Sequence, residues 1–416
     1  MPGPIFRDEL RGVSRVALSM SLDLYSVGVK RVMKISKALC LSLRLLFCLA
    51  LFITVCGSCK KDKLDLMASN QSDTVINEES PAQPSLHFDF VEELSITDEG
   101  WWPVTLDVDE TGNIYICDEA ETSIRKYSPE GNLLLEKTFK KGQGPGDFNF
   151  MDLQCSPDGL IYVFDRVTSR LSVLNKDLNV QSTRLIDGTC TFRMDSRGNL
   201  FLWRVGRQST ATLTKYSPLG RVVEKMIEIK IIEPQFLPET RTYVWPLYLP
   251  HAIYKLDSDN NLYFCTTDKY EITVVSPDGS ERKKIIKKGQ TRRFTKRDKE
   301  MLSPAASPTY GVRTEYLAPE NVPPIADFFI LEDHSLLVIT HENAYDDRMM
   351  AGDLFNSRGE YLNRVQVPRY YLWNVTTHPL GKKMALNKKG FFYTVEASED
   401  EDRFFVKRYR VREIAK

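Results

Sequence analysis

From Val104 onward, short apolar runs of about five residues alternate with turns rich in Asp, Asn and Gly. Runs this short, flanked by turn residues and enriched in β-branched and aromatic side chains, predict strands rather than helices. They recur as a unit. Its clearest copy is Val104-Thr105-Leu106-Asp107-Val108, a turn through Gly112, Ile114-Tyr115-Ile116-Cys117-Asp118, then Ser123 to Tyr127 and a second turn ending at Gly131. The next copy aligns with it through Leu153-Gln154-Cys155, Pro157-Asp158-Gly159, Ile161-Tyr162-Val163-Phe164-Asp165 and Arg170 to Asn175. Degenerate copies run over Phe192–Arg221, Ala252–Ser280, Ala326–Glu360 and Val375–Tyr409.

The first-turn residues of the six units are Gly112, Gly159, Gly198, Asn260, His334 and Gly390, at spacings of 47, 39, 62, 74 and 56 residues. A four-stranded blade needs about 40 to 45 residues, and the excess goes into loops. The pattern therefore predicts an all-β fold, a six-bladed β-propeller. Leu86 to Ile96 is one further strand with no unit of its own. It is expected to close the ring by pairing with the last unit, since an open ring leaves an unpaired sheet edge.

The segment before Leu86 has a different character. Ala38 to Val55 is apolar except for Arg44, and the uninterrupted part, Leu45 to Val55, is too short to span a bilayer. Lys34 and Lys37 precede it, and Gly57-Ser58 leads to Cys59, the basic, apolar, small-residue order of a secretory signal. Met33 to Ser58 has the length of such a signal, and residues 1–32 are read as a start-site artefact. Lys60 to Ser85 is polar and aperiodic, the composition of a flexible tether. The propeller is expected over residues 86–412.

Two resemblances can then be stated. The leader resembles a bacterial lipoprotein signal, with Cys56 where such signals usually carry Leu; the resemblance implies acylation of Cys59, secretion to the cell envelope and a lipid anchor in the outer membrane. The stretch Lys141-Gly142-Gln143-Gly144-Pro145-Gly146-Asp147-Phe148, followed by Ile161-Tyr162-Val163-Phe164-Asp165 and Arg170-Leu171-Ser172-Val173, resembles an NHL repeat. A trace recurs at Lys287-Lys288-Gly289-Gln290 and Phe294. Leader, tether and blades together are similar to six-bladed β-propeller lipoproteins of Gram-negative envelopes, of the NHL or TolB-like kind. That likeness implies a binding or interaction module; the alternative is a propeller hydrolase or lyase with a small ligand in the central channel.

Charge and chemistry narrow this only a little. With 56 basic and 56 acidic residues the net charge is zero, so no global field favours nucleic acid, and no recognition motif for it is present. The glycine-rich loop lacks the Lys-Ser/Thr of a phosphate loop. Asp107, Asp109, Thr111, Gly112 and Asp118, and likewise Asp257, Asp259 and Asn261, have calcium-loop spacing but coincide with the strand-connecting turn, where Asp and Asn belong. His87, His251, His334, His341 and His378 show no zinc-ligand spacing, and no G-x-S-x-G is present. No cofactor and no catalytic residue is expected. Cys117 and Cys265 hold equivalent strand positions and, with Cys155 and Cys190, are read as buried small side chains. The basic run Arg282 to Lys299 is read as a solvated strand and loop rather than a patch for acidic polysaccharide or lipid.

Large aromatics precede several units: Trp101-Trp102, Phe148-Asn149-Phe150, Tyr243 to Tyr248, and Tyr370 to Trp373. If these loops converge on the channel mouth, Trp101, Trp102, Phe150, Trp245, Tyr248, His251, Tyr371 and Trp373 form a rim for a glycan, a peptide or another envelope protein. The competing reading packs them between neighbouring blades.

Overall fold

In the repeats, successive residues of a strand are both apolar, so both faces of each small sheet must be buried. A ring of sheets stacked face to face does this. A computed structural model of the chain describes residues 73–79, 86–98, 100–149, 151–186, 190–205, 210–218, 220–230, 235–246, 251–289, 292–296, 298, 313–341, 349–370, 385–398 and 403–415. Two strands precede the first meander, β1 (Asp73–Asn77) and β2 (Leu86–Thr97). The first blade is β3 (Pro103–Val108), β4 (Ile114–Asp118), β5 (Ser123–Tyr127) and β6 (Leu133–Thr138). The second is β7 (Met151–Cys155), β8 (Ile161–Asp165), β9 (Arg170–Leu174) and β10 (Val180–Leu185); the third is β11 (Cys190–Met194), β12 (Leu200–Val205), β13 (Thr210–Tyr216) and β14 (Val222–Lys230). After β15 (Gln235–Leu237) and β16 (Thr242–Pro246), the fourth blade follows as β17 (Ala252–Leu256), β18 (Leu262–Thr266), β19 (Glu271–Val275) and β20 (Arg282–Lys287). After β21 (Arg313–Leu317) come the fifth blade, β22 (Asp327–Ile330), β23 (Leu336–Ile339), β24 (Met349–Phe355) and β25 (Tyr361–Pro368), and the sixth, β26 (Ala385–Lys388), β27 (Phe391–Ala397) and β28 (Phe404–Ala415). Each blade is an antiparallel meander. The protein is a six-bladed β-propeller.

Alternation along the second strand of each blade shows how the ring holds together. On β4, Ile114 and Ile116 enter the core shared with the sixth and fifth blades, whereas Tyr115 and Cys117 enter the core shared with the second. On β12, Leu200 and Leu202 face the second blade while Phe201 and Trp203 face the fourth. On β23, Leu336 and Val338 pack toward the fourth blade, and Leu337 and Ile339 toward the sixth and first. Inner strands such as β3 and β4 are buried throughout, and outer strands such as β6 and β14 are largely exposed.

The first-turn positions carry the repeat most faithfully. Asp109, Ser156, Asp195, Asp257 and Leu331 each donate N–H to the carbonyl four residues on, and each accepts from the residue three on. That residue has positive φ every time: 88° at Gly112, 81° at Gly159, 79° at Gly198, 65° at Asn260 and 64° at His334, with 71° at Gly390 in the sixth blade. The left-handed conformation explains why Gly, Asn and His recur there. Asp109 Oδ1 accepts from the N–H of Thr111 and Asn113, and Oδ2 from the Asn113 amide. The carboxylate thus braces the turn. Asp257 does the same with Asp259 and Asn261.

β2 pairs antiparallel with β28 on the outer edge of the sixth blade. Two expectations change. The tether does not extend to Ser85, because Asp73–Asn77 adds as a fifth strand, parallel to β20, on the outer edge of the fourth blade. Its partners lie in blades too far along the chain for local periodicity to reveal. Second, Tyr243 to Trp245 are not in a loop: β16 pairs with β15 and, in parallel, with β21, forming an accessory sheet between the third, fourth and fifth blades in chain order. Cys59 lies outside the described residues. Cys117, Cys155 and Cys265 are buried thiols outside any disulfide.

Candidate site at the channel mouth

Each innermost strand contributes one ionisable side chain from an otherwise apolar or neutral run: Asp107, Asp152, Arg193, Lys255, Asp327 and Lys388. They pair between neighbouring blades. Lys388 of the sixth blade approaches Asp107 of the first at 3.5 Å, Arg193 of the third approaches Asp152 of the second at 3.9 Å, and Lys255 of the fourth meets Asp327 of the fifth at 2.9 Å. Backbone and hydroxyl donors complete the acids. Asp107 accepts from the N–H of Val108 and Cys155, Asp152 from the Thr105 hydroxyl, and Asp327 from the Tyr370 hydroxyl and the N–H of Phe328. Burial works against the charge of Lys388, but Asp107 and Glu110 outweigh it and hold the ammonium above the ordinary lysine value. Three acids and three bases on the inner strands are thus neutralised blade to blade. This was readable as one charged residue per apolar run, but which charge meets which was not.

Meander topology puts the start of each first strand, the end of each second strand and the end of each fourth strand at one end of the ring, here called the mouth. Side chains at the ends of the second strands hold the loops leading into the first. Asp118 Oδ1 accepts from Trp102 N–H, Asp165 Oδ2 from Asn149 N–H, and the Thr267 hydroxyl from His251 N–H. Burial, the largest influence on Asp118, raises its carboxyl above the ordinary aspartate value despite those donors and Arg125.

The aromatic rim divides. Trp101 is 3% exposed, packs against Tyr127 at 6.4 Å and lies under Arg125, so it belongs to the core between blades. Phe148 and Tyr370 are buried in the same way. Trp102 is 36% exposed and meets Phe404 edge-on at 4.9 Å. His251 is buried. Trp245 is on β16, and Phe150, Tyr248, Tyr371 and Trp373 lie outside the described residues. Phe236 and Tyr243 on the accessory sheet, the former absent from the sequence reading, meet at a tilt of 44° with centroids 4.7 Å apart and are 45% and 41% exposed. Both insertions that build that sheet leave and rejoin the ring at the mouth end.

Where the fourth and fifth blades meet, His341 follows β23 and is buried. Burial first, then the neighbouring His251 and Arg292, lower it to about 4, with Asp298 opposing. Arg292 grips the buried Asp298 through two bonds of 2.7 and 2.8 Å, and Thr295 N–H and hydroxyl also donate to it. His341 is therefore neutral at pH 7. Among the described residues no group of three or more His, Cys, Asp or Glu is placed to hold a metal ion.

Two other sequence features resolve structurally. In the glycine-rich loop the protein's own Asp147 carboxylate accepts from Gly144 N–H at 2.9 Å, and the Asn149 amide donates to Gly142 O. In the basic run, Arg282, Lys284, Lys287, Lys288 and Arg292 pair with Glu224, Glu271, Asp353, Glu78 and Asp298.

No family model matches the chain, and no curated protein does. Solved structures do. A member of the DUF4221 family from Bacteroides vulgatus is 12% identical, with 79% of this chain and 99% of that one covered and a TM-score of 0.50. A Bacteroides fragilis protein is 11% identical over 82% and 99%, with a TM-score of 0.48. A catalytically inactive virginiamycin B lyase from Staphylococcus aureus is 12% identical over 77% and 99%, with a TM-score of 0.41. At such identities the first of these likenesses shows the propeller fold and no more.

Proposed function

We propose that the protein is an outer-membrane lipoprotein of the cell envelope, acylated at Cys59, whose NHL-type propeller is a binding module that takes a glycan, a peptide or another envelope protein at the mouth. The observation that carries this reading is the accessory sheet, which exposes Phe236 and Tyr243 and is built by insertions that leave and rejoin the ring at the end where Trp102 is exposed. The ionised side chains of the inner strands are meanwhile committed to one another, which suits a rigid scaffold. Aromatic faces bind sugar rings and apolar peptide side chains without needing charge. The test is retention of glycans, peptides and envelope proteins by detergent-solubilised full-length protein. Trp102→Ala with Tyr243→Ala is expected to cut retention at least tenfold in a domain that still unfolds cooperatively; unchanged retention would remove the mouth from the reading.

One observation favours a second reading, a hydrolase or lyase. His251 and His341 are both buried at the mouth end, and His251 is near enough to help lower His341. A neutral imidazole can accept a proton, weakly when lowered to about 4, from a ligand that reaches it. Turnover lost in His341→Gln but kept in Trp102→Ala would choose that reading.

A further inference from the structure

Both ends of the ring carry exposed apolar side chains. At the end opposite the mouth, where each third strand turns into the fourth, Leu133 and Leu134 open β6 and Val222 and Val223 open β14, all between 53% and 63% exposed. Strand direction separates the two ends for a tethered protein. β20 begins after the turn at Ser276–Glu281 and runs to the mouth, and β1 lies parallel to it, from Asp73 opposite Lys283 to Asn77 opposite Lys287. Asp73 therefore stands at the end away from the mouth. The other end of β1 is held on two blades, because Lys288 N–H donates to Asn77 O at 2.8 Å, the Asn77 amide donates to Gly359 O at 2.9 Å, and its oxygen accepts from Tyr361 N–H at 2.8 Å.

We propose that the end of the ring carrying the outer turns rests against the lipid surface, with Leu133, Leu134, Val222 and Val223 facing it, and that the mouth points away. This rests on the lipoprotein reading. About fourteen residues separate Cys59 from Asp73, a span of at most about 50 Å and about 20 Å on average for a coil. Turning the mouth to the membrane would spend about 17 Å of that reach alongside β1. The proposed orientation leaves Trp102 and Tyr243 open to a ligand.

The experiment uses the full-length acylated chain in vesicles of phosphatidylethanolamine and phosphatidylglycerol, with a headgroup-attached quencher. Fluorophores are placed, in a chain carrying Cys190→Ser, through Leu134→Cys and Val223→Cys at one end, and through Val167→Cys and Tyr243→Cys at the mouth; Cys117, Cys155 and Cys265 are buried and do not compete for label. Quenching at least threefold stronger at 134 and 223 is expected. Equal quenching at both ends, or stronger quenching at the mouth, in a chain whose mass shows acylated Cys59 would overturn the orientation alone. Absence of the acyl mass would overturn the lipoprotein reading and this proposal with it. Leu133→Glu with Val222→Glu is expected to lower the contrast at 134 and 223; an unchanged contrast would remove the apolar rim from the proposal.

Discussion

Replacing Asp353 by Asn keeps the side-chain shape and removes one charge from the contact between the fourth and fifth blades. Asp353 is fully buried on β24 and accepts from Lys287 at 2.8 Å, Tyr270 at 2.7 Å, Arg364 at 3.1 Å and Tyr361 at 3.3 Å. Arg364 stays partly in water, but the Lys287 side chain is 6% exposed and would be left charged with no counterion. Breaking a buried pair from one side costs about 3 to 5 kcal/mol. For a folded body of about 340 residues the unfolding entropy is about 0.7 kcal/mol per degree, so the melting temperature should fall by about 4 to 7 °C at pH 7. Calorimetry reads this directly. Lys287→Met added to Asp353→Asn should regain part of the loss, because no buried charge is then stranded while the amide oxygen can still accept from Tyr270. A fall below about 1 °C in the single variant, or a double variant less stable than either single, would refute the reasoning. Burial, the largest influence, pushes the Asp353 carboxyl up, yet Lys287, Arg364 and Tyr270 together hold it below the ordinary 3.8. Its contribution is therefore complete above pH about 4 and is lost as pH falls through the lower folded value, and Asp353→Asn should lack that acid-side dependence.

Further expectations follow from single sites. His341 is lowered from 6.5 to about 4, so between those values the unfolded chain binds a proton that the folded one does not; stability should rise with pH across that window by up to about 1.4 kcal/mol per unit, and His341→Gln should flatten the slope in pH-dependent denaturant melts. Gly159 and Gly359 have φ of 81° and 80°, but a Cβ at Gly159 meets open space, whereas one at Gly359 would lie 2.7 Å from Ile285 Cγ1. Both Ala variants should lose about 1 to 2 kcal/mol from the backbone, and Gly359→Ala about 1 to 3 more in urea unfolding. Asn77→Ala should cost about 1 to 3 kcal/mol by stranding Gly359 O and Tyr361 N–H, with faster proteolysis at β1 as the readout.

The legible part of this molecule is local. The left-handed turn at Gly112, Asn260 and His334 closes within five residues, so its chemistry is written in five residues, and the six copies could be aligned despite unequal loops. Doubly apolar strands such as Ile114-Tyr115-Ile116-Cys117 likewise announce sheets buried on both faces. The site was less readable because exposure is set by neighbours. Trp101 and Trp102 are adjacent and chemically alike, yet one is walled in by Tyr127 and Arg125 while the other lies edge-on against Phe404 of the sixth blade, about 300 residues away.

By itself, the chain order of apolar, polar and turn residues determined strands, turns and blade count. Tertiary structure alone decided that β1 leaves the tether for the fourth blade, that β16 and β21 meet in an accessory sheet, and that Lys388 finds Asp107 across the join between last and first blades. Stacking blades around a ring sets side chains tens to hundreds of residues apart within hydrogen-bonding range. Which of them pair depends on strand register and blade orientation, and neither leaves a periodic mark on the chain.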